Sequence, residues 1–152
     1  MSMMNNYLTI YTIGYTKKTA EEFFKLLRTT GAKHLVDVRL NNTSQLMGFT
    51  KRDDLSYFLQ ELLNMDYHEM PELAPEESML KEYRKTKNWG KYESSYKELI
   101  KHRQPETKIS PKLLEEGMVL LCSESKAERC HRRLAAEYLA DLQSHDTRII
   151  HL

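Results

Sequence analysis

The sequence predicts an α/β protein: a mostly parallel five-stranded sheet flanked by helices, a Rossmann-like three-layer arrangement with a helical excursion before the fourth strand. Three observations carry this. Segments rich in β-branched and aromatic residues alternate with segments whose apolar residues recur at helical spacing. Capping residues and glycines stand at the joins. Met118-Val-Leu-Leu-Cys122 is a nearly continuous apolar run, as a central strand buried on both faces requires. Such alternation favours parallel strands, because a helical crossover returns the chain to the same end of the sheet.

The elements follow in order. Tyr7-Leu-Thr-Ile-Tyr-Thr-Ile13 reads as the first strand, stopped by Gly14. Thr19-x-x-Glu22 is a capping box, Phe23, Leu26 and Leu27 mark a helix face, and Gly31 stands where a helix C-cap belongs. His34 to Arg39 reads as the second strand. Thr50-x-x-Asp53 resembles another cap, ahead of a stripe of Leu55, Phe58, Leu59, Leu62 and Leu63. Asp66-Tyr-His-Glu-Met70 reads as a short third strand ended by Pro71. Two charged helices follow, Glu76–Thr86 and Tyr92–His102, separated by Asn88-Trp89-Gly90; they form either a lid or docking surface, or a solvated excursion. Met118–Cys122 is the fourth strand. Ser125-x-x-Glu128 predicts a helix from Lys126, and Thr147-Arg-Ile-Ile-His151 is the last strand. The first strand is expected beside the fourth, at the reversal of strand order where such sheets bind ligands.

The composition excludes several classes. A chain of 152 residues is of one-domain size and buries a core without staples. The net charge of +1 advertises no nucleic acid, so such a partner needs a local basic patch. No apolar run is long enough for a membrane span, and Met1 to Asn6 carries no signal-peptide pattern. Two cysteines do not make a disulfide framework, so the expected location is the reducing cytosol with both thiols free. Nothing in the residues names a cofactor or an oligomeric state.

In a parallel sheet, polar residues at strand carboxyl ends converge on one rim. These are Gly14, Tyr15 and Thr16 after the first strand, Asp37 and Arg39 ending the second, and Cys122, Ser123 and Glu124 ending the fourth. The expected helix start at Lys126 adds free backbone N–H groups, an anion site. Helical phase turns Cys130 toward the sheet, sets His131 at the edge of that face, and turns Arg132 and Arg133 away. Each residue also has a plainer role: buried cysteines as small apolar residues, Asp37 and Arg39 as an ion pair tidying a strand end, Glu124 as a cap, His131 as a satisfied half-buried ring. A phosphatase loop wants arginine six positions after its cysteine, where Glu128 stands. Cys-x-x-Cys is absent, and five scattered glycines form no phosphate loop. Cys122, Cys130 and His131, with His34, His68 or His151 as a fourth ligand, lack paired zinc-ligand spacing, so no metal ligand is assigned.

Thr12-Ile-Gly-Tyr-Thr16, Asp37-Val-Arg39, Cys122-x-Glu124 and Cys130-His-Arg132 together resemble the family known as domain of unknown function 488. Pro71-Glu-Leu-Ala-Pro75 resembles its central segment, and Ile150-His151 its closing strand. Many members have His-Ser where this chain has Tyr15-Thr16, and a proline within the stretch that here reads Asn41-Asn-Thr-Ser44. The resemblance implies an α/β fold and a cysteine-containing rim site, and supplies no reaction.

The expected catalytic residues are Cys122, Glu124, Cys130, His131 and Asp37. The expected substrate-binding residues are Gly14, Tyr15, Arg39, Ser44, Ser125 and Arg132. Three functions fit them: an enzyme acting on a phosphate-bearing substrate (nucleotide or nucleic acid), a non-catalytic nucleic-acid or anion-binding module, and a thiol redox or metal sensor. For the second, basic residues from Lys81 to Lys91 interleave with Tyr83, Trp89 and Tyr92.

Overall fold

The five strands of the sheet are Tyr7–Gly14 (β1), His34–Asp37 (β2), Asp66–Glu69 (β3), Met118–Cys122 (β4) and Asp146–His151 (β5). The structure, a computed structural model, describes residues 7–43, 48–124, 126–143 and 146–152. All pairings are parallel, in the order β3-β2-β4-β1-β5. β4 is paired on both sides and all five of its residues are buried. Its apolar run divides by strand alternation. Val119 and Leu121 meet Phe23, Leu27, Leu55 and Leu59 on one face. Met118, Leu120 and Cys122 meet Tyr96, Ile100, Leu134 and Leu139 on the other. The chain leaves β1 toward β2 and leaves β4 toward β5, so the carboxyl ends of β1 and β4 flank the reversal of strand order, as expected.

Helices Ala20–Thr30 (α1) and Arg52–Leu63 (α2) cover the first face; Trp89–Arg103 (α4) and His131–Asp141 (α6) cover the second. The Thr19 hydroxyl accepts from Glu22 N and Gly31 closes α1 at φ 66°, so the local cap signals act as read. α2 differs: Lys51 stands at its N-cap, while Thr50 is buried in a 3-10 turn, Gly48–Thr50. Asp53 and Asp54 in its first turn supply the negative charge a helix start favours.

The excursion between β3 and β4 holds Glu77–Thr86 (α3), α4 and a short Pro111–Glu116 (α5) that periodicity does not flag. The break between α3 and α4 falls at Lys87, with φ 57°; Trp89 and Gly90 are helical, under an Asn88 cap that accepts from Lys91 N. The buried Tyr96 hydroxyl donates to the Leu73 carbonyl, and Arg103 Nη1 donates to the Ala74 carbonyl at 2.6 Å. These bonds hold the Pro71–Pro75 segment against α4.

Two strand and helix ends move for reasons that matter to the site. β2 stops at Asp37, because its side chain accepts from Arg39 N at 3.0 Å and turns the chain out of the sheet. α6 begins at His131, five residues later than the capping box indicates. The preceding loop is tied to the end of β1, where Thr16 N and the Thr16 hydroxyl both donate to the Ser123 carbonyl. Tertiary hydrogen bonds therefore override the local cap, and residues 126–128 form no helix start. The buried residues of α6 are Arg132, Leu134, Ala135, Ala136 and Leu139: Leu134 faces inward as expected, and Arg132 does so contrary to the expected phase. Arg133 does turn to the flank, near Glu93 and Glu137 and over the Trp89 ring.

Candidate functional site at the strand carboxyl ends

A cleft of about 540 Å³ opens at the rim. Tyr15 follows β1, Arg39, Leu40 and Asn41 follow β2, Ser123 and Glu124 follow β4, and His131 begins α6. Pro75 with Glu77, Leu80 and Arg84 of α3 forms the remaining wall. The excursion is thus one side of the cleft. Its contribution comes from spacing across α3: residues 77, 80 and 84 share a helix face.

Arg39 is held in place from behind. Its Nε and Nη2 donate to the two oxygens of Asp37 at 2.9 and 2.8 Å, a two-point pairing of guanidinium and carboxylate. Asp37 also accepts from Arg39 N at 3.0 Å and from the Tyr67 hydroxyl at 2.5 Å, and its side chain is fully buried. Burial and the Asp37 carboxylate push the Tyr67 hydroxyl well up, so it stays a donor. Against the cost of burial, the hydrogen bonds and charge of Asp37 hold Arg39 above its ordinary value. Arg39 also lies over the Tyr15 ring, 5.5 Å from its centre. Asp37 therefore positions Arg39 and is not itself among the residues lining the cleft.

The cysteines lie beneath the cleft. Cys122 is 0% and Cys130 3% exposed, and their sulfurs are 2.8 Å apart. Both are free thiols. Arg132, also 0% exposed, donates from Nη1 to Cys122 Sγ at 3.2 Å and to the Glu124 carbonyl, and from Nε to the Thr12 hydroxyl at 3.2 Å. Among the described residues no carboxylate pairs with Arg132, so Cys122 is the group beside it able to carry the opposite charge. A buried cation requires such a partner. Burial alone raises the Cys122 thiol, but the Cys130 hydrogen bond and Arg132 outweigh it and bring it below its ordinary value. Cys130 is raised by its bond to Cys122 and by burial, so Cys122 is the first of the pair to give up its proton.

His131 is half-buried, its Nε2 2.7 Å from the Val38 carbonyl. A carbonyl only accepts, so the proton sits on Nε2 and Nδ1 faces Cys130 Sγ at 3.9 Å. Burial, joined by the Arg132 charge and opposed by the Val38 bond, lowers its pKa to about 4, so the ring is neutral near pH 7. Glu124 is exposed at the cleft mouth. Gly14 lies at the closest packing of the site: a Cβ there would overlap the Glu124 carbonyl oxygen and crowd Arg132 Nη1. It serves the loop rather than lining the cleft.

Tyr15, Arg39, Glu124 and His131 thus share the cleft, whereas Cys122, Cys130, Arg132 and Asp37 form its buried support. Ser44 and Ser125 lie outside the described residues. Sequence reasoning missed Leu80 and Glu77 as cleft walls and noted Arg84 only as surface charge, where helical spacing within the excursion was the signal available; it also missed Tyr67, which reaches Asp37 through the pairing of β2 with β3. Thr12 is the other unassigned member, linking Arg132 to His151 Nδ1. Among the described residues, none of His34, His68 and His151 joins the cysteine pair in a metal-ligating group. No described helix is long and apolar enough to cross a membrane. No curated protein and no solved structure matches the chain. One family model, described as "Domain of unknown function DUF488", does match, over residues 19–139. The chain belongs to that family.

Proposed function

We propose that the rim cleft binds a phosphate-bearing small molecule of nucleotide size and acts on it as an enzyme. The observation that carries this is a guanidinium oriented in advance at a cleft wall. Asp37 and Tyr67 hold Arg39 from behind, so little ordering remains to be done on binding. Arg84 lines the same cleft as a second cation, and Tyr15 offers a ring beside Arg39. The volume of about 540 Å³ falls in the range of small-molecule sites. In this proposal Arg39 and Arg84 hold the phosphate, and Glu124, exposed at the mouth, moves the proton. The buried cysteines take no direct part.

A small molecule is favoured over a nucleic-acid strand because the excursion's aromatic residues and two of its lysines are already engaged. Trp89 stacks on Tyr92 with centroids 5.2 Å apart, Tyr83 packs on both, and Tyr92 is buried. Lys81 and Lys91 pair with Glu77 and Glu82.

Calorimetry with inorganic phosphate and nucleoside mono- and diphosphates tests the proposal, followed by turnover assays with the ligands that bind. Arg39→Ala is expected to cost about 1.5–3 kcal/mol, roughly 10- to 100-fold in Kd, the value of a charge-assisted hydrogen bond. Glu124→Gln is expected to keep affinity and lose turnover. Unchanged binding in the first variant and unchanged turnover in the second would sink the idea.

A second function is supported by the 2.8 Å sulfur contact: a thiol redox response beneath the cleft. Cys122 and Cys130 would lose two protons and two electrons to a peroxide such as H2O2, which leaves as two waters, while an S–S bond forms. Oxidation leaves Arg132, which also holds the Glu124 carbonyl, beside a disulfide sulfur that cannot take a negative charge, so the change is transmitted to the cleft wall. Intact-mass measurement after mild peroxide should show a loss of two hydrogens, reversed by reductant and absent in Cys130→Ser. Sulfinic products without that loss would exclude the pair as a reversible couple.

A further inference from the structure

We propose that a borderline divalent cation, of which Zn2+ is the representative, binds at the opposite end of the sheet, between His34 Nδ1, His68 Nε2 and Asp66 Oδ2. The site is separate from the rim cleft and does not depend on the function proposed for it.

Strand geometry brings the three side chains together. Residues two apart on a strand share a face, and neighbouring strands are in register side by side. Asp66 and His68 are two apart on β3, and His34 of β2 is the register partner of Asp66. All three therefore project from the amino-terminal ends of β2 and β3 on one face. His34 Nδ1 lies 2.9 Å from His68 Nε2 and 3.9 Å from Asp66 Oδ2, and the three atoms are all within 4.8 Å of one another. Ligands about 2.0–2.2 Å from a tetrahedral Zn2+ stand about 3.3–3.6 Å apart, a spacing those two distances bracket.

The His34 proton is already placed for a metal. His34 Nε2 is 3.1 Å from Glu116 Oε1, and a carboxylate only accepts, so the neutral ring carries its proton there. Nδ1 then has a free lone pair, and His68 Nε2 must donate into it across the 2.9 Å contact. When a cation replaces that hydrogen bond, the neutral His68 ring changes tautomer: its proton passes through solvent from Nε2 to Nδ1, and Nε2 is left with a free lone pair. Glu116 is the supporting carboxylate that fixes the orientation and raises the basicity of a metal-bound histidine. Asp66 and Glu116 together carry two negative charges, which match a divalent ion. Two nitrogens and one oxygen suit Zn2+, Co2+ or Ni2+ better than Ca2+ or Mg2+, which prefer all-oxygen shells. Three protein ligands leave one position open. It faces a groove of about 540 Å³ lined also by Lys33, Lys108 and Lys112, so an anion or water is the fitting fourth ligand.

The experiment uses the full chain, freed of metal with a chelator and titrated with Zn2+ by calorimetry and with Co2+ by visible spectroscopy. One ion per chain is expected, with a Co2+ spectrum of nitrogen and oxygen ligation lacking a thiolate charge-transfer band. His68→Ala should abolish saturable binding, and Glu116→Gln should weaken it about 10- to 100-fold. Asp66→Asn, at an exposed side chain that leaves the core untouched, should weaken it at least as much as Glu116→Gln. Absence of saturable binding would overturn the proposal. So would a thiolate band, or affinity unchanged in Asp66→Asn and His68→Ala.

Discussion

Arg132→Met should destabilise the protein by about 3–5 kcal/mol, the usual result of removing one partner from a buried charged pair. At this chain length that corresponds to a fall in Tm of roughly 10 °C. The substitution keeps an unbranched side chain in the pocket, so the loss comes from polar groups rather than from a large cavity. Thr12 Oγ1 and the Glu124 carbonyl lose a donor, and Cys122 loses the charge beside it. A second readout separates this from general damage. Thiolate absorbance followed against pH should show Cys122 titrating higher in Arg132→Met than in the wild type, since the guanidinium is one of the groups that lower it. Thr12→Val leaves the buried Arg132 Nε without its acceptor and should cost about 1.5–3 kcal/mol without that change in titration. A Tm close to wild type, with the thiolate signal retained, would show that Arg132 is not the counter-charge of Cys122.

Gly14→Ala should be the most damaging of the glycine substitutions. The added methyl would overlap the Glu124 carbonyl and press on Arg132 Nη1, and the former is backbone that cannot rotate aside. The loop after β4 must shift, at a cost of about 1–3 kcal/mol or more from overpacking. Ser123 and Glu124 line the cleft, so ligand affinity should fall with stability. Gly90→Ala is the contrast. Gly90 lies in the first turn of α4, where an added Cβ would meet Asn88 Oδ1 at an ordinary contact distance of 3.7 Å, and alanine is the better helix former by about 1 kcal/mol. That variant should unfold at an equal or higher temperature. Thermal melts of the two variants side by side decide the matter; equal melting would mean that the Gly14 contact is readily relieved.

Some of the site was readable from residue types alone. Asp37-Val-Arg39 and Cys122-x-Glu124 end strands whose boundaries follow from β-branched and apolar runs, and parallel pairing brings such ends to one rim. The hidden division is depth. Tyr15, Arg39, Glu124 and His131 line the cleft, while Cys122, Cys130, Asp37 and Arg132 lie under it. Sequence spacing places residues along an element but does not say how far the next loop covers them.

By itself the sequence determined the fold class, the five strands, the caps of α1 and the neighbouring positions of β1 and β4. Each of these rests on local chemistry or on a period of two or 3.6 residues, which the chain carries in its own order. Tertiary structure alone decided the start of α6, the burial of Arg132, the pairing of Cys122 with Cys130 and the use of α3 as a cleft wall. Ser125-x-x-Glu128 is a sound local cap, but bonds from Thr16 and Arg132 to the loop between β4 and α6 compete with it and prevail. The helix that starts five residues later turns an arginine that helical phase directs to solvent into a buried donor to the Cys122 sulfur. His34, Asp66 and His68 are likewise 32 and two residues apart in sequence and meet only because the register of β2 and β3 aligns them. Register is a property of paired strands, so no single segment contains it.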